Sequence, residues 1–587
     1  MKSPFIFGHL LIIYSNLYHT DEKNNFIKMI LQVFELIHSI AENKKFKGNI
    51  KGVLNDLVYV LILYMQITEE QILLWSDDVE QFIEDEDNSG VDYSIRSSGK
   101  DILMRLGEEF EKDFAAALTD AIRKHLNVSD VERNSGKSSW WKPHEAAMLT
   151  FGSSEFKELI LSCQEQFNLL EYLNLLKGLM GCYDSPFLLG RCLFTISKFI
   201  ASDQGIIHLN DAVNTTLACF ENDKPLTLKV YAIRATYEFC ANLKDTSSDR
   251  KEFIVSKLEI LLEGILQIIA LSQSTLMGLC LEALSELLAF DSNFTASTAP
   301  RVIPLVQDLF LKYHDDRYIL EHVLDILKIW SQNPYCLVPL QEKVVPTLIK
   351  ILNLQGEQVN APMQDIALDV LETIVKYSKA PLSAQLIEQA FPAAVNAILR
   401  SEDHSVLQSG GECLRAFLYV AAEQVCTFQG GKGLSSILDV LTVLLNPTST
   451  ESSATFVGRL VITLITKAGN FLGEKIDLLL KAALSKMQLV ESLHVIMSLI
   501  MIFAHLFLIQ IDAVMNFLSS IPGKLKLLYK FTFSVMIIIN KIYFRTFRRT
   551  SYEFRLLKLA NSPAFILWNL RKKSQCHGIM QNIRIWN

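Results

Sequence analysis

The sequence predicts an all-α protein whose helices pair into repeats, and three observations support this fold class. Half of the 587 residues are apolar, whereas the chain has only 25 Gly and 15 Pro. From Phe26 onward, apolar residues recur at helical spacing in segments of roughly 12 to 18 residues, joined by short polar connections. The third observation is a motif that recurs at a fixed interval. No segment has the alternation that is typical of a strand.

The recurring motif is a triplet of an acid, an apolar residue and a leucine. It begins at Glu282, Asp325, Asp369 and Glu412, so that the spacings are 43, 44 and 43 residues. A period of about 40 to 47 residues is typical of helix-pair repeats of the HEAT and armadillo kind. The predicted fold is therefore a HEAT/armadillo-type helical-repeat superhelix, or solenoid.

Each triplet lies on an amphipathic helix. In the second one Val323, Ile326, Leu327 and Trp330 share one face at i, i+3, i+4 and i+7, and Asp325 falls off that stripe. Such a helix buries its stripe only by stacking between the equivalent helices of neighbouring repeats. The length of the repeat region then predicts about a dozen helix pairs and a long concave face.

A run of acid residues interrupts this pattern at 77–92. It contains eight carboxylates and neither Lys nor Arg, and apolar periodic segments precede it at 53–65 and follow it at 101–110. The pattern predicts a loop between helices. One interpretation is a solvated linker. The other is an anionic finger that binds a basic partner, through Glu84, Asp85, Glu86 and Asp87.

The helical pattern, which starts at Phe26, and the distribution of charge together predict three segments. Residues 524–587 hold 13 Lys/Arg and one acid, which leaves 43 Lys/Arg against 63 Asp/Glu, a net charge of −20, in the first 523 residues. The basic tail also lacks the triplet. We therefore expect a leader at 1–24, a solenoid at 25–523 that contains the acidic loop 77–92, and a non-repeat tail at 524–587.

The sequence favours no catalytic, metal or cofactor site. His144 and Glu145 would open a metalloprotease helix, but Met148 stands where the second metal ligand is needed, so a polar helix face is expected there. The glycines at 410–411 and 430–431 follow no strand and are interpreted as residues of loops between helices. The cysteines lack Cys-x-x-Cys pairs and lie in apolar patterns, which is typical of a reducing compartment. We expect no enzyme and no cofactor.

Six phrases of the sequence resemble one family of transport proteins. The resemblance is to the importin nine branch of the karyopherin-β nuclear transport receptors, and it runs in order from about Asn25 to Gly523. The phrases are 65–71 (MQITEEQ), 82–87 (FIEDED), 140–146 (WWKPHEA), 185–191 (SPFLLGR), 410–416 (GGECLRA) and 456–460 (FVGRL).

The resemblance implies a HEAT-repeat receptor that shuttles between cytoplasm and nucleus. Its implied partners are basic cargo such as core histone dimers and ribosomal proteins, the GTPase Ran, and nuclear pore proteins. Family members begin with an importin-β N-terminal domain that supplies the main Ran surface, and nothing before Asn25 is similar to it. They also continue past Gly523 into further repeats and a second acidic loop. We expect a middle part of an importin-like chain, with a start and an end foreign to the family.

The acidic body and the acidic run agree with a basic cargo. An acidic surface holds a basic, partly disordered protein through many contacts that are screened by salt, and it shields that protein from nucleic acid. We expect no direct contact with nucleic acid, and none with a membrane because the apolar runs at 499–511 and 531–539 are shorter than the roughly 20 residues a spanning helix needs. The alternative is a HEAT-repeat scaffold or histone-chaperone-like binding protein without a transport cycle. Sensitivity of cargo binding to Ran-GTP, measured in a full-length version, discriminates between the two.

Overall fold

The computed structural model describes residues 24–520, apart from 44, 46, 88–93, 153–155, 158–159, 162–167, 183–184, 247, 273, 357–359, 448–450 and 452–454. Every regular element in these residues is a helix, so the all-α prediction is confirmed. The predicted tail at 524–587 and almost all of the predicted leader lie outside the described residues. The chain divides into two compact units, Met1–Cys336 and Leu337–Asn587.

The first unit is a succession of helices of very different length. The described α-helices are α1 (Asn24–Glu42), α2 (Lys47–Lys51), α3 (Leu54–Tyr64), α4 (Glu69–Asp77), α5 (Val79–Asp87), α6 (Ile95–Asn134), α7 (Trp141–Phe151), α8 (Leu169–Leu179), α9 (Pro186–Lys198), α10 (Leu209–Cys219), α11 (Leu226–Leu243), α12 (Ser248–Val255), α13 (Leu258–Ile269), α14 (Ser274–Phe290), α15 (Ser292–Lys312) and α16 (Arg317–Gln332).

The second unit continues the same alternation. Its described α-helices are α17 (Leu337–Leu352), α18 (Ala361–Tyr377), α19 (Phe391–Arg400), α20 (His404–Thr427), α21 (Lys432–Leu444), α22 (Val457–Leu472), α23 (Lys475–Leu489), α24 (Leu493–Ile509) and α25 (Ile511–Ser520). A π-helical segment, Gln385–Ala390, precedes α19, and a short 3-10 segment, Phe428–Gly431, precedes α21.

Each unit stacks its helices in two layers. In the first unit α9, α11, α14 and α16 pack one against the next, and α10 and α13 touch each other beside them. In the second unit α18, α20, α22 and α24 form the corresponding row, and α17, α19 and α21 form the other. This arrangement buries the apolar stripe of each helix between its neighbours, as the repeat pattern predicts.

The four triplets occupy equivalent places in these rows. They lie in α14, α16, α18 and α20, and their apolar and leucine positions are at most 4 % exposed. The acids begin each triplet at the surface of the row, with Asp325 and Asp369 exposed and Glu282 and Glu412 partly buried. The period read from the sequence is therefore the period of the stack.

Hydrogen bonds also recur at the repeat distance. The Gln424 side-chain amide donates to the Leu382 carbonyl and accepts from the Leu382 N–H, at 2.9 and 2.8 Å, across 42 residues. Lys486 Nζ donates to the Asn446 carbonyl at 2.7 Å across 40 residues. These bonds satisfy backbone groups at helix ends, where intrahelical partners are missing, and they tie consecutive repeats together.

The glycines at 410–411 do not lie in a loop, so that prediction is wrong. Both are buried inside α20. A Cβ atom at Gly410 would overlap the Ile398 side chain, and one at Gly411 would overlap the Phe456 ring. The physical reason is close packing between helices, which a lone sequence pattern does not distinguish from a turn. Gly430 and Gly431, by contrast, adopt positive φ in the short 3-10 segment that connects α20 to α21, in agreement with the expected break between helices.

Close packing at another glycine gives a testable expectation for the second unit. A Cβ atom at Gly458, on α22, would overlap the backbone carbonyl oxygen of Ser498 on α24. Because backbone cannot rotate away as a side chain can, Gly458→Ala should lower the free energy of unfolding by about 1–3 kcal/mol. The matched control is Gly469→Ala on the same helix, which meets no atom within 4 Å. That control should stabilise by up to about 1 kcal/mol. Equal urea midpoints for the two variants would contradict the close approach.

None of the described helices is long and apolar enough to cross a membrane by itself, whereas the bent pair α3 and α4 meets the length and composition requirement jointly.

Candidate functional site

The acid run predicted to be a loop is a docked helix over the part that the structure describes. Residues 79–87 form α5, and 88–93 lie outside the described residues. The loop prediction is therefore wrong for 79–87. The reason is tertiary: besides Arg96 of α6, the carboxylates of α5 meet Arg191 of α9 and Arg234 of α11, which are distant in the sequence.

An aromatic anchor holds α5 in place. Phe82 is fully buried, and its ring centroid lies 5.3 Å from that of Trp75, 5.5 Å from Tyr231 and 6.0 Å from Phe187. The three partners come from α4, α11 and α9, so one side chain joins three helices that are distant in sequence. Aromatic pairs at this separation add to the stabilisation from buried area.

Three arginines form the polar part of the site, which we call the arginine cluster: Arg96, Arg191 and Arg234. Two buried carboxylates, Glu86 and Glu145, lie between the first two arginines. Arg96 donates to both carboxylate oxygens of Glu145 at 2.6 and 2.9 Å, and to Glu86 at 3.1 Å. Arg191 donates from Nε to Glu145 at 2.9 Å and from Nη2 to Glu86. No side chain among these four is more than 7 % exposed.

The two ends of α5 are fixed separately. At its C-terminal end Asp87 accepts a hydrogen bond of 2.6 Å from Arg234, 147 residues later. Near its N-terminal end Glu80 accepts from the backbone N–H groups of Thr275 and Leu276, at 2.8 and 3.1 Å, about 195 residues later. These N–H groups open α14 and have no intrahelical acceptor, so a carboxylate satisfies them well.

Aromatic faces lie beneath the three guanidinium groups. Arg191 is 5.3 Å from the Tyr231 ring centroid, Arg234 is 5.8 Å from that of Phe194, and Arg96 is 6.0 Å from that of Trp75. Cations within about 6 Å of a ring are attracted by its quadrupole. Each guanidinium group therefore lies near an aromatic ring as well as a carboxylate.

The arginine cluster keeps Glu86 ionised. Burial by itself would raise the pKa of Glu86, but the charges of Arg191, Arg96 and Arg234 outweigh burial and lower the pKa to about 2. Burial opposes the charged form of Arg191 as well, and the neighbouring carboxylates reverse this effect, so its pKa lies well above the usual value. The interior of the site is thus made of full charges in mutual contact.

The free energies of buried and exposed ion pairs decide whether α5 leaves the arginine cluster to bind a partner. Removing α5 would leave three arginines buried with Glu145 alone, and each broken buried pair costs about 3–5 kcal/mol. An exposed contact with a basic partner returns only about 0.2–1 kcal/mol. Because a few such contacts do not balance the loss, we expect α5 to stay docked against the arginine cluster.

The four predicted site residues thus have different surroundings. Asp85 accepts hydrogen bonds from Trp75 Nε1 at 2.7 Å and Gln81 Nε2 at 2.8 Å. The Glu86 side chain is buried, Glu84 is partly buried, and the Asp87 side chain is 46 % exposed. The structure pairs Asp85, Glu86 and Asp87 with residues of the same chain, and of these three Asp87 retains the clearest access to solvent.

Sequence reasoning missed the residues that hold α5. Arg191 and Arg234 are single charges surrounded by apolar residues in helical segments, and this isolation is the signal that could have identified them. Glu145 follows Lys142 and His144, so the sequence gives no such signal for it. The expected polar helix face at His144 and Glu145 is wrong, because both residues are buried. Burial lowers the pKa of His144 to about 4, and the charge of Arg133 adds to this effect.

A second group of carboxylates lies on the second unit. Asp369 and Glu372 on α18 face Glu412 on α20, and Arg459 pairs with Glu412 at 2.7 Å. Partial shielding from water raises the pKa of Asp369 to about 6, and the surrounding carboxylates, including Glu412, add to the rise. In the described residues no group of three His, Cys, Asp or Glu side chains is placed to hold a metal ion.

The stacked helix pairs place the protein in the class of HEAT-repeat solenoids, and comparisons with known proteins identify the family. Residues 49–326 match the family model of importin-9 central HEAT repeats, and residues 325–551 match that of importin-11-like TPR repeats. The second match passes the boundary at Gly523 that we expected from the sequence. The chain belongs to the importin-9 branch of the karyopherin-β family.

Two curated relatives illustrate the similarity. The chain is 42 % identical over 506 residues to importin-9 of Drosophila melanogaster, covering 86 % of this chain and 49 % of the relative. It is 23 % identical over 516 residues to importin subunit beta-5 of Schizosaccharomyces pombe, covering 84 % and 48 %. The chain therefore spans about half the length of the curated relatives it matches.

Two solved structures have a similar fold. The cargo-free, cytoplasmic state of the exportin Cse1 gives a TM-score of 0.64 at 13 % identity, over 87 % of this chain and 55 % of that one. Lph2 of S. cerevisiae gives 0.59 at 13 % identity, over 88 % and 54 %. At such low identity the comparison concerns the fold alone.

Proposed function

We propose that this chain acts in nuclear import, as a karyopherin-β receptor that carries basic protein cargo through the nuclear pore under the control of Ran. The observation that carries the proposal is its 42 % identity to importin-9 of Drosophila melanogaster over 506 residues. The cargo in view is the core histone dimer, with ribosomal proteins as a second class.

The charge of the chain supports a basic cargo. The first 523 residues have a net charge of −20, and on the second unit the Glu412 carboxylate of α20 adds to the rise in pKa that burial causes at Asp369 and Glu372 of α18. A concentration of like charge creates a potential that accelerates encounter with a protein of opposite charge. Binding of this kind weakens as salt increases.

The remaining partners follow from family membership. A receptor of this family contacts nuclear pore proteins, responds to the GTPase Ran, and shuttles between cytoplasm and nucleus. We extend these partners to the present chain because of its identity to importin-9 of Drosophila melanogaster.

The acidic residues 84–87 keep a role in this proposal, in a form that the docked helix allows. Asp87 and Glu84 contact a basic partner at the edge of α5. Asp85 and Glu86 hold the helix in place and contribute only to the negative electrostatic potential around it. Each exposed contact is worth about 0.2–1 kcal/mol, so the effect of a single carboxylate on affinity is small.

The test is an import assay with permeabilised cells. The purified chain, Ran, an energy source and a fluorescent dimer of histones two-A and two-B are added, and nuclear fluorescence is measured. We expect accumulation that depends on the chain and is abolished when Ran is supplied locked in its GTP form. Fluorescence equal to that without the chain would contradict the proposal. Histone binding without accumulation and without Ran sensitivity would favour a HEAT-repeat scaffold or chaperone instead.

A further inference from the structure

Helix α5 joins parts of the first unit that the solenoid itself does not join. Its residues contact α4, α9, α11 and α14, whereas a repeat in a solenoid ordinarily contacts only its neighbours. The contacts reach from Glu80 to the start of α14 and from Asp87 to α11. A nine-residue helix thus bridges several consecutive repeats.

We propose that α5 is a conformational lock, which holds the repeats from α9 to α14 at one fixed curvature so that they open together or not at all. Three independent anchors carry the inference. They are the buried Phe82 ring, the Glu86 carboxylate within the arginine cluster, and the Glu80 carboxylate on the N–H groups of α14. Bending of these repeats relative to one another would break at least one anchor.

The lock does not depend on the proposed transport function. It is a property of the first unit alone, and it holds whether or not a cargo binds. The surrounding charges make it stable near neutral pH, since Arg96, Arg191 and Arg234 face α5 from α6, α9 and α11, and Glu145 faces the same arginines from α7.

Two backbone amides report directly on the lock. Thr275 and Leu276 stand in the first turn of α14, where N–H groups have no intrahelical acceptor, and Glu80 supplies the acceptor. Their hydrogen exchange therefore depends on docking of the N-terminal end of α5. Asp87 lies at the opposite end of α5, so a change there reaches these amides only if α5 moves as a unit.

The experiment compares Asp87→Asn with Glu259→Gln in the full chain. Each removes one partly exposed carboxylate from an ion pair with arginine, at 2.6 Å to Arg234 and 2.9 Å to Arg301 respectively. We expect Asp87→Asn to accelerate exchange at Thr275 and Leu276 by up to about fivefold. The control should leave both amides at the wild-type rate. Amides in α20 and α22 of the second unit serve as an internal reference.

A stronger variant tests the same lock through its apolar anchor. Phe82→Ala should accelerate exchange at Thr275 and Leu276 by more than about 100-fold, and should make α9, α11 and α14 exchange at separate rates. Unchanged exchange at Thr275 and Leu276 in Asp87→Asn would contradict a lock that moves as one body, because it would show that Asp87 acts only on Arg234. If α9, α11 and α14 also exchanged in a concerted way in Phe82→Ala, the proposal would be overturned.

Discussion

Replacing Glu145 by Gln should lower the free energy of unfolding of the first unit by about 3–5 kcal/mol. Glu145 is completely buried and accepts hydrogen bonds from Arg96 and Arg191. With a neutral amide in its place, two buried guanidinium groups share Glu86 as their one fully buried carboxylate. An uncompensated buried charge costs far more than the lost attraction of an exposed pair.

The measurement is chemical denaturation followed by tryptophan fluorescence, to which Trp75 beside the arginine cluster contributes. The control is Glu259→Gln, since Glu259 pairs with Arg301 but both side chains are about half exposed. This control should cost less than about 1 kcal/mol. A loss in Glu145→Gln no larger than in the control would show that the buried network contributes little to stability.

The second large effect is a dependence of stability on pH that comes from Glu86. Its pKa in the folded chain is about 2, below the ordinary value of 4.5. A lowered folded-state pKa means that the unfolded chain binds the proton more readily, so stability falls as pH falls. The contribution of Glu86 is therefore complete above pH 4.5 and is lost progressively between pH 4.5 and about 2. Its size is roughly 3 kcal/mol, at about 1.4 kcal/mol for each pKa unit.

Glu86→Gln isolates this contribution from those of the other carboxylates. The variant should be less stable than the wild type near neutral pH, and the difference should shrink as pH falls below 4.5, because protonation removes the same charge from the wild type. Unfolding free energies of both proteins across this range are the measurement. A difference that stays constant with pH would mean that the charge of Glu86 is not what stabilises the site.

The sequence predicted the solenoid because its signals are local. The stripe that includes Val323, Ile326 and Trp330 needs only one helix to be recognised, and all three side chains are buried in α16. The triplet needs only a count of residues. Both features follow from the requirement that each repeat buries the same face against its neighbours.

The candidate site was beyond such reasoning because its partners are distant. Composition alone makes residues 77–92 a solvated loop, and the decisive contacts of Glu86 and Asp87 are 105 and 147 residues away along the chain. The loop prediction at 410–411 failed for a related reason, since the two glycines make room for Ile398 on α19 and for Phe456, which lies just before α22. Tertiary contacts overrode the local pattern in both cases.

The long reach of α5 also affects how the first unit folds. Contacts between neighbouring repeats close short loops, and a stack that contains only such contacts assembles rapidly by propagation. The bond between Glu80 and Thr275 closes a loop of 195 residues, whose entropic cost grows with its length. The surfaces of α11 and α14 must already be stacked before α5 has a place to bind. We therefore expect α5 to dock as a late, separate step, after the helices that it joins.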